Sequence, residues 1–589
     1  MKIVNVVTSV ALAGGLAACS YWTNLTSADA SHPAQAPVGY AMSPATPSSS
    51  HTGHAEHAMV MPAIYGGDAD RPGAPIFTNL GDHHHPISTS NPRTQQYFDQ
   101  GVRLLFGFNH AEAIRSFREG ARLDPKCAMC WWGVAFALGP NINLPMMPDA
   151  AAPAWEAVER ARALESNASA NERAYIEAIA KRYAPSPPDD RHALDEAFAV
   201  AMRDVARAYP DDLDASVFFA EAMMDTQAWD YWELDGKTPK GHALEIVATL
   251  ESVIKREPYH PGALHLYIHI EEPTSTPERA EFAADRLAPL IPGAGHIVHM
   301  PSHIYYRVGR YADADRANEA AAAADEAYIA SCRAQGFYPA AYYVHNLHFL
   351  WTSYEMEGRS ADALKAARRV VAASPIAMAR QAAQAQLFFI TPMMTHIRFG
   401  HRDAALAEPK PEDDLKLVVA FWHFGRGVAF AQKHDFAHAR AERAALATAA
   451  ADKDIEAMGE QVPAKSLVEL SLAVLNGEIA LTSGRTMAAV TAFRKAAAIE
   501  VNLPYTEPPF WHEPVSHQLG DALLRAQRPR EAEAVYRASL KVYRRDGLAL
   551  LGLSLALAAQ GRQAEATATR KQFTEAWASA DTTPTASRF

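Results

Sequence analysis

The 589-residue chain is poor in several things that would mark common protein classes. It has four cysteines, and the one CxxC pair, Cys127 and Cys130, has no second pair to complete a zinc ribbon. Trp131 rather than His follows that pair, which excludes a c-type haem attachment site. Beyond the first residues no apolar run is long enough to span a bilayer, so the body is not membrane-embedded. The formal net charge of −12 leaves no basic footprint, which argues against nucleic acid as a partner. A Gly-rich phosphate loop, a nucleophile elbow and HExxH are all missing, so no nucleotide is expected and the common hydrolase motifs are excluded. Ser302 is flanked by histidines, but no oxyanion donor can be named for it. Strand-like alternation of any length is absent, and the fold expected is all-α.

Apolar residues make up 49% of the chain and aromatics 9%, enough for a large core. Length alone suggests several domains, but a repeat architecture can absorb it as one continuous body. The chain opens with Lys2 and a short apolar run, Val6–Leu16, which reads as a cleaved signal over residues 1–18. Leu16-Ala17-Ala18-Cys19 resembles the lipobox of bacterial lipoproteins. That resemblance implies lipidation of Cys19 and a soluble body anchored in the cell envelope. Ser20 in place of Asp then points to the periplasmic side of the outer membrane. Cys127, Cys130 and Cys332 would sit in an oxidising compartment. For Cys127 and Cys130 a disulfide, a redox or copper-binding pair and two inert thiols all remain open.

Residues 19–90 are rich in Pro, Ser, Ala and His without periodicity and read as a disordered tether. Within it, His51, His54, His57, Met59 and Met61 combine imidazole with thioether, a donor set suited to Cu(I), and HHH follows at 83–85. Helical pattern runs from 91 to 580, and a short disordered tail, 581–589, closes the chain.

The helical region repeats. Tyr97, Gly101, Leu104, Ala113, Phe117, Gly120 and Pro125 stand at relative positions 4, 8, 11, 20, 24, 27 and 32 of a 34-residue period. Gly477, Ala489, Phe493 and Ala496 take positions 8, 20, 24 and 27, and Gly520, Ala532 and Tyr536 take 8, 20 and 24. This pattern resembles the tetratricopeptide repeat (TPR) family. It implies an α-solenoid of antiparallel helix pairs, a right-handed superhelix with a concave face. Small residues at 8 and 20 let two helices approach, and the aromatic at 24 fills the gap to the next pair. The match is degenerate over 150–260 and 376–420, where only helical pairs are expected.

Seven histidines fall between residues 265 and 348: His265, His269, His296, His299, His303, His345 and His348. Their spacings of three and four put each group on one helix face. In the repeat register they take positions 2, 5 and 9, which line the concave groove in the TPR family. Glu272 lands at 12, and either Glu271 or Glu272 could serve as ligand or general base. Pro301 sits inside the second helix and demands a late start or a kink. The reading that follows is a transition-metal site, Cu or Zn, on the concave face, with Glu272 the catalytic candidate if there is catalysis. A metal-dependent hydrolase or oxidoreductase, and a metal-free scaffold gripping a protein or peptide partner in the groove, are the alternatives. Trp511 and His512, in a Pro-broken stretch, either close one end of the groove or form a structural loop. Segments HMPSHIY and CAMCWWG resemble ones in bacterial TPR proteins of no assigned activity, which implies a shared site and no particular reaction.

Overall fold

The computed structural model describes Met59 and residues 61–589 apart from 461. Among them there is no β-strand, only two isolated bridges. The body is a TPR-like α-solenoid of successive helix pairs joined by short turns. Helices start where the chain supplies a cap. Asn91 accepts the Arg93 amide ahead of Pro92, whose missing N–H costs nothing in a first turn. Ser169 and Glu172 form a reciprocal capping box.

The repeat packing follows from three glycines. A Cβ on Gly101 would lie 2.3 Å from the Phe117 ring, one on Gly477 2.4 Å from Phe493, and one on Gly520 2.1 Å from Tyr536. The aromatic of each repeat is thus pressed against its own first helix at a point where no side chain fits. It also reaches the next first helix: Gly133 meets Phe117 and Gly552 meets Tyr536 in the same way. Ala113, Ala489 and Ala532 are fully buried beside these contacts.

Two large apolar cores run along the solenoid, one ending near Tyr342 and the other beginning at Leu350. The histidine-bearing helices lie at the junction. Pro261–Glu271 is buried along its whole length and begins with His260 as cap and Pro261 at its first position. Gly295–His299 and Pro301–Val308 abut through Met300, which keeps helical torsions. Pro301 thereby opens a new first turn, and His296 stays on a helix rather than a loop. The long helix Tyr311–Cys332 accounts for the excess spacing to Phe337–Met356, which carries the last two histidines.

Two segments expected to be disordered are packed. Within the tether, Met59, Met61, Ile64, Tyr65 and Leu80 join the first core. The thioethers of Met59 and Met61 are therefore core filling rather than exposed copper ligands. His51, His54, His57, Cys19 and the signal lie outside the described residues. In the tail, Asp581 accepts the amides of Ser360 and Ala361, and Arg588 pairs with buried Glu478. Composition misses both because it reports only what a segment can bury alone, whereas here the partner surface is hundreds of residues away in the chain.

Candidate metal centre

Six of the seven histidines converge, each carried by a helix that is rigid because it is buried. His265 and His269 come from Pro261–Glu271, and His296 from Gly295–His299; their donor atoms lie within 4.8 Å of one another. His299, His303 and His345 form a second triad by the same measure. The triads touch. Ring centroids of His269 and His303 are 6.0 Å apart and those of His296 and His299 6.1 Å, against 5.9 Å between His269 and His296 inside one triad. Phe108 lies against all three rings of the first triad, and Phe349 against all three of the second.

The hydrogen bonds behind these rings determine which nitrogen is bare. Asn318 donates its amide to the Ala314 carbonyl at 2.9 Å, which turns its oxygen toward His299 Nδ1. That nitrogen must therefore carry the proton, leaving Nε2 as a lone pair in the neutral ring. His303 Nδ1 faces carboxylate oxygens of both Glu272 and Glu507, so its proton also sits on Nδ1. The two Nε2 atoms then point at each other across 2.7 Å, with His345 Nε2 3.5 Å from that of His303. Two lone pairs at that distance repel, and a proton or a metal ion belongs between them. In the first triad, His269 gives its Nδ1 proton to Glu272 Oε1 at 2.9 Å, and its buried Nε2 has no partner. His265 bonds the Phe106 backbone and sets its Nε2 3.2 Å from that of His296. An outer hydrogen bond that fixes the tautomer and aims the other nitrogen is the usual support of a metal-binding imidazole. Glu272 supplies it to both triads at once. Neutral imidazoles with no thiolate suit Zn or Cu.

The same test separates these triads from a second cluster. Asp214 collects His83, His85 and His260 at 2.7–3.1 Å. His260 Nδ1 accepts the Ala263 amide, so its proton is on Nε2, which lies 3.0 Å from the carboxylate. Asp214 is thus satisfied by His83 and His85 without an ion. Burial alone would raise its pKa, but the imidazoles hold it well below the usual range. The HHH segment acts as a clamp for the chain ahead of the first helix.

Burial keeps the triads neutral. It lowers His265 to about 3 and takes His269, His296, His299 and His345 well below the ordinary value. His303 is the exception: burial opposes its charge, yet Glu272 and Glu507 raise it to about 10. Burial, then the nearby Glu507, raises Glu272.

Other expected residues are distributed as follows. Glu272 stands behind the imidazoles rather than in front of them, in a positioning place rather than at an open coordination position. Glu271 turns away and pairs with Arg279 at 3.0 Å. His348 leaves the cluster and stacks flat on Trp351, with centroids 5.3 Å apart and planes at 6°. The claim that all seven histidines share one cluster is thereby corrected, because one helical turn past His345 the face has rotated toward a neighbouring cavity. That cavity, about 190 Å³, is lined by His345, His348, Trp351, Phe388, Glu507 and His512 among others. Cys127 and Cys130 are joined as a disulfide at the start of Ala128–Ala137. Glu507 and Asn318 were missed. A lone acid between Thr506 and two prolines was a visible anomaly in the first case, whereas Asn318 sits in an alanine-rich helix and gave no signal.

No protein-family model matches the chain, and no curated protein matches it. Among solved structures, the human IFIT1 dimer with m7Gppp-AAAA is similar at 9% identity, over 88% of this chain and 96% of that one, with a TM-score of 0.30. Yeast Tom70 is similar at 11% identity, over 82% and 93%, with a TM-score of 0.28.

Proposed function

We propose that this chain is a transition-metal protein, held at the cell envelope by a lipid on Cys19, whose six clustered imidazoles bind Cu or Zn. The observation that carries the reading is the pair of Nε2 atoms of His299 and His303, 2.7 Å apart, with both Nδ1 protons engaged elsewhere. A scaffold that merely grips a peptide has no use for two imidazole Nε2 atoms aimed at each other in a buried site, with room between them only for the extra proton of His303 or a metal ion. The two triads are adjacent and each offers three donors, so the centre has places for two ions. Neither triad supplies a fourth protein ligand of its own, which leaves open coordination of the kind that catalysis needs.

The test is elemental analysis of protein purified without a histidine-affinity step, beside a His299→Ala/His303→Ala variant. One or more equivalents of Cu or Zn are expected in the wild type. They should be lost in the variant while helical circular dichroism survives. Absence of metal from both, even after reconstitution, would leave a shared proton between the rings as the explanation and return the chain to a metal-free scaffold. The lipid anchor is tested separately, by detergent-phase partition of the wild type against Cys19→Ala.

A further inference from the structure

The cavity beside the centre has a composition that selects an occupant. It extends from exposed Gln384 and half-buried Thr506 down to His345 and Glu507, both of which also belong to the imidazole cluster. It is therefore a route from solvent to the second triad. Its walls are flat and apolar: Trp351 with His348 stacked on it, Phe388 edge-on to His348, Phe510, Leu387 and Ile390. No lysine or arginine lines it, and its one charged group is the Glu507 carboxylate. An anionic ligand would find no cationic side chain in this wall to hold it, and Glu507 is already paired with His303. The volume, about 190 Å³, slightly exceeds the roughly 150 Å³ of an engineered apolar cavity that admits benzene. It fits one aromatic ring and excludes two. The polar anchors are His345 and Glu507 at the inner end, since His512 sets its Nε2 3.6 Å from the buried carboxylate of Glu355.

We propose that this cavity is a binding chamber for a neutral single-ring aromatic molecule carrying one hydroxyl or ring nitrogen. The ring lies among Trp351, His348 and Phe388, and its polar atom turns toward His345 and Glu507. This rests on the metal reading only for what stands behind His345; the chamber itself is built of other residues.

Phenol is the probe, with benzoate as the anionic control, titrated into metal-loaded and metal-stripped protein by calorimetry and tryptophan fluorescence. Leu387→Trp and Ile390→Phe each fill the chamber without touching either triad. Saturable phenol binding is expected, at least tenfold tighter than benzoate. Either filling variant should weaken it tenfold or more at unchanged metal content. If one variant loses its helical signal, the other decides. Phenol and benzoate binding alike, no saturable phenol binding in the wild type, or binding indifferent to a folded filling variant would overturn the proposal. Phenol binding that passes these criteria in a protein that never takes up metal would uphold the chamber while sinking the metal reading.

Discussion

Asn318 offers a sharp perturbation because it never approaches the proposed ion. It is fully buried; its amide donates to the Ala314 carbonyl, and its oxygen accepts from His299 Nδ1 and, at 3.4 Å, from the Ser302 hydroxyl. Asn318→Leu keeps the volume and removes all three. The His299 N–H would then be left buried without an acceptor, apart from a longer contact to the Ser302 hydroxyl at 3.3 Å. An unsatisfied buried donor costs about 1–3 kcal/mol of folding stability. The consequence for metal is separate. Freed from Asn318, the ring can rotate or change tautomer, and losing such an outer partner typically lowers affinity by about 10–100-fold, or about 1.4–2.7 kcal/mol. The assay is competition for Zn or Cu against a chelator of known affinity, run beside denaturant unfolding of the metal-free protein. Both are expected to fall. If stability drops while metal affinity stays within about twofold, Asn318 only packs the helix, and the tautomer argument that identifies the site is refuted.

Gly520→Ala should destabilise the protein by about 1–3 kcal/mol through overpacking against Tyr536, and by less in a Tyr536→Leu background, as a double-mutant cycle in denaturant would read. His110, on the other side of Phe108 from the first triad, is buried and lowered to about 4 by that burial. The unfolded chain binds that proton below about 6.5 and the folded one does not, so stability is lost as pH falls from 6.5 to 4, by up to about 3 kcal/mol. Removal of the imidazole in a volume-matched His110→Leu variant should reduce the slope of that part of a pH–stability curve by up to one proton, the lowered triad imidazoles keeping theirs. The Cys127–Cys130 disulfide closes only a very short loop, so its reduction, or Cys127→Ser/Cys130→Ser, should cost no more than about 2 kcal/mol. Metal content should be unchanged, because neither sulfur belongs to a triad; a loss of metal on reduction would contradict the placement of the site.

How much of this was legible beforehand varies by residue, for physical reasons. Gly101, Gly477 and Gly520 could be placed in register from spacing, because a helix pair confronts its residues at a fixed period whatever the rest of the chain does. The histidine spacings gave three helix faces for the same reason. They did not say which histidines meet: His345 and His348 share a helix, yet only His345 reaches His303, since the outcome depends on where neighbouring helices cross. Pro301 was readable as a disturbance, but its accommodation through Met300 was not. The described part of the tether, from Met61 to Ser90, and the tail are packed because a segment without periodicity can still be ordered by a surface it does not encode.

The amino-acid sequence by itself determined that this protein is a solenoid of paired helices with histidines on inward faces, because both properties are local and set by residue period. Only the tertiary structure decided that six of those histidines form two adjoining triads, and that Glu272, Glu507 and Asn318 set their tautomers. It also decided that a ring-sized chamber opens beside them. Those facts depend on distances between atoms far apart in the chain, and no local rule of spacing contains them.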